Sequence, residues 1–559
     1  MKRTFLTICF FALFSFFYTS FAQMSYGGSP RSFKYNLSAN IPSIEMEAID
    51  VEALLLAHPS VKGQALPVGI VTPINYTMEN CGMKDYLPNG DVIWRVQVVC
   101  PNATFSSINF SKFIIPEGAD LFFYTPDHEF VIGKFTNQNQ MEGEIFYPQD
   151  IPGDEFIIEY YEPAKAAFHG TLEMDQVSQG YRDIFHIMNQ NIEESTKALI
   201  PGSSGANGSC HPNAMCYNTQ WHDQINSVVC YTMSDGYSIG MCSGAMINNT
   251  ARNGKKYLLS ANHCYSSGVT WKFYFGYQAS SCNATDAPIY KTATGCNVKA
   301  RDNGESSSDF MLVEITGTID PAYNVFLAGW DISTSTPSPA TSCACIHHPG
   351  GDKKKCSIPA NVINGSQAGM GKYWAVNWSY NTGTTEGGSS GSPLFNPQKL
   401  IVGQLYAGQS CCVANDDGEG CTGPGGYDVY GKISNSWTNN NNSSNAKKLK
   451  PWLDPTNSGA TTLQGEYLNT VGVTNYTEVV DALSVFPNPT KGEITIHGNF
   501  NGNYGVCNIY NVVGSLVSTR QLSLSSEMTM NLDYLDAGIY FIEIMDNDHK
   551  YRSKLVITK

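Results

Sequence analysis

Apolar and polar positions alternate along most of this chain, in runs too short for helices. Between residues 25 and 200 the runs Val92-Ile-Trp-Arg-Val-Gln-Val-Val99, Leu121-Phe-Phe-Tyr124, Phe130-Val-Ile-Gly133 and Phe156-Ile-Ile-Glu-Tyr-Tyr161 are separated by turns rich in Pro, Gly, Asp and Asn. That spacing predicts an antiparallel β-sandwich, and no catalytic grouping falls within it. From 210 to 465 the expected strands are shorter and divided by Gly, Asn and Ser turns, the pattern of a two-barrel all-β unit. From Asp481 the alternation takes a third form, through Gly492-Glu-Ile-Thr-Ile496, Leu535-Asp-Ala-Gly-Ile-Tyr-Phe-Ile542 and Tyr551-Arg-Ser-Lys-Leu-Val-Ile-Thr-Lys559, and predicts a compact terminal β unit. Ile200-Pro-Gly-Ser-Ser-Gly-Ala-Asn-Gly208 is small, polar and turn-rich, the composition of an exposed linker. The polar tract Thr438 to Asn445 reads as a loop before the closing elements of the central unit.

The first residues follow another rule. Met1-Lys-Arg3, the apolar run Phe5 to Phe17 and then Ser20-Phe21-Ala22 have the charged, greasy and small-residue regions of a secretory signal, with cleavage expected after Ala22. The resulting division is a signal at 1–22, a β-rich domain at 23–200, a linker at 201–209, a central domain at 210–465, a linker at 466–480 and a terminal domain at 481–559. No later stretch approaches the roughly 20 apolar residues of a membrane helix. Thirteen of the 17 cysteines fall between Cys210 and Cys421, which in an exported protein reads as a disulfide framework. Cys81 and Cys100 could pair with each other. A net charge of −15 disfavours a nucleic-acid role, and Lys353-Lys354-Lys355 is expected to be a solvated turn.

Gly387-Gly-Ser-Ser-Gly-Ser-Pro393 is the stretch that carries chemistry, because glycines on both sides of a serine let the backbone turn sharply around one hydroxyl. Ser390 is the candidate nucleophile, and it needs a histidine base oriented by a carboxylate. His263, in Tyr257-Leu-Leu-Ser-Ala-Asn-His-Cys264, and Asp309, in Ser307-Ser-Asp-Phe-Met-Leu-Val-Glu-Ile315, supply both. The order His, Asp, Ser fits the chymotrypsin arrangement and neither the α/β-hydrolase nor the subtilisin one.

With these segments the region from about Cys210 to Gly465 resembles the trypsin/chymotrypsin clan, and within it the bacterial lysyl endopeptidases. Further matches are Cys242-Ser-Gly-Ala-Met-Ile-Asn-Asn-Thr250, Phe326-Leu-Ala-Gly-Trp-Asp331, His347-His-Pro349, Val402-Gly-Gln-Leu405 and Trp452-Leu-Asp-Pro455. The resemblance implies an all-β, chymotrypsin-like double barrel acting on protein or peptide substrates; the placement of the β-rich domain before it suggests a pro-domain that covers or folds the enzyme, an independent binding module being the alternative. The resemblance also implies an oxyanion hole from the backbone N–H groups of Gly388 and Ser390, and bridges Cys210–Cys412, Cys216–Cys282 and Cys242–Cys264. Trypsins carry an aspartate directly before the nucleophile and another in the specificity pocket six residues before it; here those positions are Ser389 and Thr384. The lysyl endopeptidase pocket aspartate matches Asp428, in Tyr427-Asp-Val-Tyr-Gly-Lys-Ile433. The family's pocket histidine corresponds to Tyr406, and no tryptophan falls at the matching place, Trp374 being the nearest. Glu386 is a second carboxylate nearby, read as structural or solvent-facing. Cleavage after Lys is expected, with Arg the runner-up, and Lys197 would suit self-processing at the linker.

Leu483-Ser-Val-Phe-Pro-Asn-Pro-Thr490 and the strands that follow it resemble the C-terminal sorting domain of the type IX secretion system of Bacteroidetes. That resemblance implies the secretion machinery as a partner and a cell-surface or extracellular location. A monomer without cofactor is expected. Cys343-Ala-Cys345-Ile-His347-His348 offers metal-ligand types, but exported cysteines are more often bridged and the His-His-Pro segment belongs to the protease pattern, so no metal is assigned. A noncatalytic adhesin on the same fold is the competing class, and the intact His263, Asp309 and Ser390 argue against it.

Overall fold

The computed structural model describes residues 28–184, 208–468 and 480–558, apart from 142, 268–269, 285–290, 303, 305–306, 366–370, 380–381, 413–425, 440, 499, 501–503, 513–515, 534 and 547–548. The expected signal, Lys197 and most of both linkers lie outside the described residues. Among those described, no helix is long and apolar enough to cross a membrane.

The N-terminal domain is a sandwich. One sheet runs in the order Ser43–Glu45, Val92–Val99, Glu155–Glu162, Asp120–Tyr124, Val131–Phe135. Its first pair is parallel and the rest are antiparallel. It faces Leu66–Thr77, Thr171–Gly180 and Phe105–Ile114 across a core in which Val96, Phe105, Ile108, Phe110, Phe123, Phe146 and Ile158 are fully buried. Cys81 and Cys100 do not pair. Cys81 Sγ turns to the Thr77 carbonyl instead, while Cys100 is buried in the core, where loss of solvation pushes its thiol up to about 12.

That second sheet continues into the next domain. Leu66–Thr77 pairs on one edge with Thr171–Gly180 and on the other with Ser238–Met246, giving a single 11-stranded sheet. A strand edge presents unpaired N–H and C=O groups, and here each domain caps the other's. Polar contacts reinforce the seam: Lys272 Nζ reaches Asp150 Oδ1 and Ser107 Oγ, and the Tyr274 hydroxyl donates to Asp150 Oδ2.

The central domain is a pair of antiparallel barrels. The first uses Val228–Ser234, Ser238–Met246, Tyr257–Ala261, Thr270–Phe275, Cys296–Asp302 and Phe310–Ile315; the second uses Ala344–His347, Pro359–Asn364, Tyr373–Trp378, Pro393–Phe395, Ile401–Gly408 and Tyr427–Lys432. Leu259, Phe310, Trp330, Phe395, Ile401 and Trp437 form a core shared by both. Disulfides join Cys210 to Cys412, Cys216 to Cys282 and Cys242 to Cys264. Cys411 is bridged as well, whereas Cys230, Cys296, Cys343, Cys345 and Cys356 are thiols.

Lys353, Lys354 and Lys355 are buried, not solvated. Polar partners make this possible: Lys354 donates to the Ile225 carbonyl and Gln278 Oε1, and Lys355 to Asn213 Oδ1 beside Asp352. Burial, with Lys291 adding to it, lowers the Lys354 ammonium to about 7. The terminal domain packs a five-stranded and a three-stranded sheet around Ile494, Ile496, Ile542, Ile544 and Leu555.

Candidate active site

Strand register brings the first two site residues together. Tyr257–Ala261 and Phe310–Ile315 run antiparallel with Ala261 opposite Phe310, so the residues just beyond that pair, Asn262 and Asp309, must also meet. The Asn262 N–H donates to the Asp309 carbonyl at 3.0 Å. Asp309 takes a left-handed φ of +57°, an unfavourable conformation for most residues, and its carboxylate grips His263 twice. Oδ1 accepts the His263 backbone N–H at 3.0 Å, and Oδ2 lies 2.7 Å from Nδ1. Arg301 donates to Asn262 Oδ1, and Gln404 donates to the carbonyls of Ser308 and Asp309. His263 Nε2 is buried and has no hydrogen-bond partner among the described residues.

Ser390 sits on the turn entering Pro393–Phe395, with the Ser389 N–H bonded to the Glu386 carbonyl and the Ser392 N–H to the Ser389 carbonyl. Gly391 has φ +82°, and a Cβ there would fall 1.9 Å from Ser260 Oγ, so only glycine lets the loop lie against the first barrel. Ser243 fastens it there. Its N–H donates to the Ser390 carbonyl, and its hydroxyl donates to the Gly388 carbonyl while accepting the His348 N–H. Among the described residues, the N–H groups of Gly388 and Ser390 donate to nothing. Both stay open, as an oxyanion hole requires.

Ser389 has a partner that sequence reasoning missed. Ser389 Oγ accepts the Glu386 N–H and lies 2.7 Å from His347 Nδ1, while His347 Nε2 lies 2.9 Å from Ser357 Oγ, whose hydroxyl donates to the Thr384 carbonyl. With Ser389 as donor to Nδ1 and Nε2–H as donor to Ser357, this network is fully satisfied with a neutral imidazole. Burial, then the nearby His211, His348 and Lys62, hold His347 well below the usual histidine range. Glu386 is structural: burial alone would raise its pKa, but His211 and the Gly208 N–H together lower it.

Asp428 is fully buried. Its Oδ2 accepts from Trp378 Nε1 at 2.7 Å, Thr385 Oγ1 at 2.6 Å and Ser410 Oγ at 2.6 Å. Oδ1 takes the Ser410 N–H and the Lys62 ammonium. Gly408 lies opposite Asp428, and a Cβ there would come within 1.8 Å of Oδ1. Trp378, not Trp374, is therefore the tryptophan beside this carboxylate. The pairing of Val376 with Asp428 sets Trp374 and Trp378 to either side, and Trp374 Nε1 is spent on the Val402 carbonyl in the core. Tyr406 stacks on Tyr373 and stands 6.1 Å from the His263 ring.

Residues 204–431 match the family model "Lysyl endopeptidase, C-terminal domain". The central domain is thus similar to the lysyl endopeptidases. Residues 484–558 match a secretion system C-terminal sorting domain, so the protease-like domain is joined to a signal for secretion and cell-surface attachment. Among curated proteins, ulvan lyase NLR42 of Nonlabens ulvanivorans is 34% identical over 79 residues, 14% of this chain; the match spans only 15% of that lyase. Similar solved structures include the protease Anisep of Arthrobacter nicotinovorans (14% identity, 37% of this chain and 90% of that one, TM-score 0.27). A Glu endopeptidase is 16% identical over 37% of this chain and 85% of its own, with a TM-score of 0.24.

Proposed function

We propose that this chain is a secreted serine endopeptidase that cuts after lysine. Ser390 attacks the substrate carbonyl while His263 Nε2 takes its proton; the same nitrogen later hands that proton to the departing amine. Asp309 fixes the imidazole so that Nε2 is the basic nitrogen. The N–H groups of Gly388 and Ser390 meet the developing oxyanion, each such donor being worth roughly 3–4 kcal/mol of barrier. Water then releases the acyl group by the reverse proton route. The β-rich N-terminal domain acts as a pro-domain, removed after cleavage near the 201–209 linker.

The observation that carries the lysine preference is the ammonium of Lys62 against Asp428, 3.1 Å from Oδ1 and 3.1 Å from Ser410 Oγ. A cation removed from water needs such a partner, and the length of a lysine side chain reaches it.

Profiling a peptide library with the processed enzyme tests this reading. Cleavage dominated by lysine is expected, with Ser390→Ala folded but about 10⁶-fold slower. Dominant cleavage after aromatic or small residues, or activity in Ser390→Ala near that of the parent, would refute it.

A further inference from the structure

The lysine in the specificity pocket belongs to the chain itself. Lys62 sits at the tip of a turn closed by the Gln64 N–H on the Val61 carbonyl, with Gly63 following at φ +84°, the conformation that a type II turn requires of its third residue. Besides Asp428, the Lys62 ammonium reaches both the hydroxyl and the carbonyl of Ser410, and its side chain is 12% exposed. Gly63 lies against the strand Ile401–Gly408, where a Cβ would stand 3.3 Å from Ala407 Cβ. Ser60 and Leu66 cover the nucleophile loop from above: a Cβ on Gly387 would meet Ser60 Oγ at 2.0 Å, and one on Gly388 would meet Leu66 Cδ2 at 3.3 Å.

The same segment disengages the nucleophile. The Ser390 hydroxyl donates to the Gln64 carbonyl at 3.3 Å, which leaves His263 Nε2 without the proton donor it should activate. The carbonyl at Ser390 is two residues past the lysine, and the Lys62–Gly63 bond is folded into the turn. A lysine therefore fills the pocket while its own peptide bond is withheld from attack.

Resting on the lysine-cleaving reading above, we propose that Lys62 is an internal pseudo-substrate that locks the precursor shut. The lock has two parts. Lys62 occupies the pocket, and the pairing of Leu66–Thr77 with Ser238–Met246 holds the turn at high effective concentration. Cutting the chain near residue 200 severs the domains without opening the site; activity appears only when the Lys62 turn leaves or is destroyed.

The test is the rate at which a small fluorophosphonate labels Ser390 in the uncut full-length chain, read from the precursor band in the first minutes. Lys62→Ala and Lys62→Gln should label at least about tenfold faster than the parent, and Lys62→Arg, which keeps the cation, should stay slow. An unchanged or slower rate in both Lys62→Ala and Lys62→Gln, in chains whose Tm matches the parent's, overturns the proposal. That failure is separable from failure of the lysine reading, which the library profile of the processed wild-type enzyme decides independently.

Discussion

His347 Nδ1 lies 2.7 Å from Ser389 Oγ, directly beside the candidate nucleophile. In trypsins an aspartate at the Ser389 position pairs with a newly made N-terminus to shape the oxyanion loop. Here a buried neutral imidazole, already bonded on both nitrogens, braces that loop. His347→Leu should lower kcat about tenfold or more with little change in KM, since Ser389 is left with one anchor. Substituting the residue at the new N-terminus should leave kcat nearly intact once processing is complete. Loss of activity in that variant would show that activation uses the terminus after all.

Asp428→Asn should keep the fold, because an amide can retain several of the donors gathered there. Lysine substrates should lose roughly 10²- to 10⁴-fold in kcat/KM, the cost of leaving a buried cation without its counter-charge, about 3–5 kcal/mol. Equal turnover of lysine peptides by parent and variant would move the specificity carboxylate elsewhere.

Cys264 directly follows His263, and its bridge to Cys242 spans a sequence separation of 22. Replacing both cysteines by alanine should cost about 3 kcal/mol of stability from the unfolded chain's regained freedom. Because Cys242 also adjoins Ser243, which ties down the nucleophile loop, kcat should fall at temperatures where the variant remains folded. A variant with lower Tm and unchanged kcat would limit the bridge to a stabilising role.

His348 is buried against Tyr277, and burial, with Lys354 nearby, lowers its pKa to about 3. The unfolded chain binds a proton below about pH 6.5 that the folded chain refuses. Stability from this group is therefore full above pH 6.5 and drains as pH falls toward 3, by up to about 1.4 kcal/mol per pH unit. Urea unfolding of the inhibited, processed enzyme between pH 7.5 and 4.5 should give a shallower pH slope for His348→Asn than for the parent. Parallel slopes would contradict this assignment.

Ending the chain after residue 470 removes the sorting domain, and the product should accumulate in the periplasm. Normal appearance of that shortened chain in the medium would refute the sorting role.

The site was legible where chemistry forces residue types into fixed local order. A serine between glycines, a histidine ending an apolar run and an aspartate entering a strand can be found without knowing which strands pair. Trp378 and Gly408 were not legible, because their meeting with Asp428 depends on the register of Tyr373–Trp378 and Ile401–Gly408 against Tyr427–Lys432. The buried Lys354 defied a composition rule, since a run of three lysines reads as surface until the Ile225 carbonyl and Gln278 are seen to receive it. Lys62 gave least warning. Pro59-Ser-Val-Lys-Gly-Gln-Ala65 is an ordinary turn sequence, and only docking against a second domain gives its one cation a destination.

The seam between the first two domains also governs what kind of surface parting would create. Alongside apolar Ile239 and Met241, the protease face offers Lys272, Tyr274, Thr270 and Thr292, each hydrogen-bonded to a polar group of the N-terminal domain. Were that domain to depart, water could take over every one of those bonds, so much of the newly bared face would wet at small cost. The strand edge uncovered with it is short, only Ser238 to Met241, and broken by a bulge. Separation would thus leave an enzyme with little to stick to its neighbours, well suited to life at high dilution outside the cell.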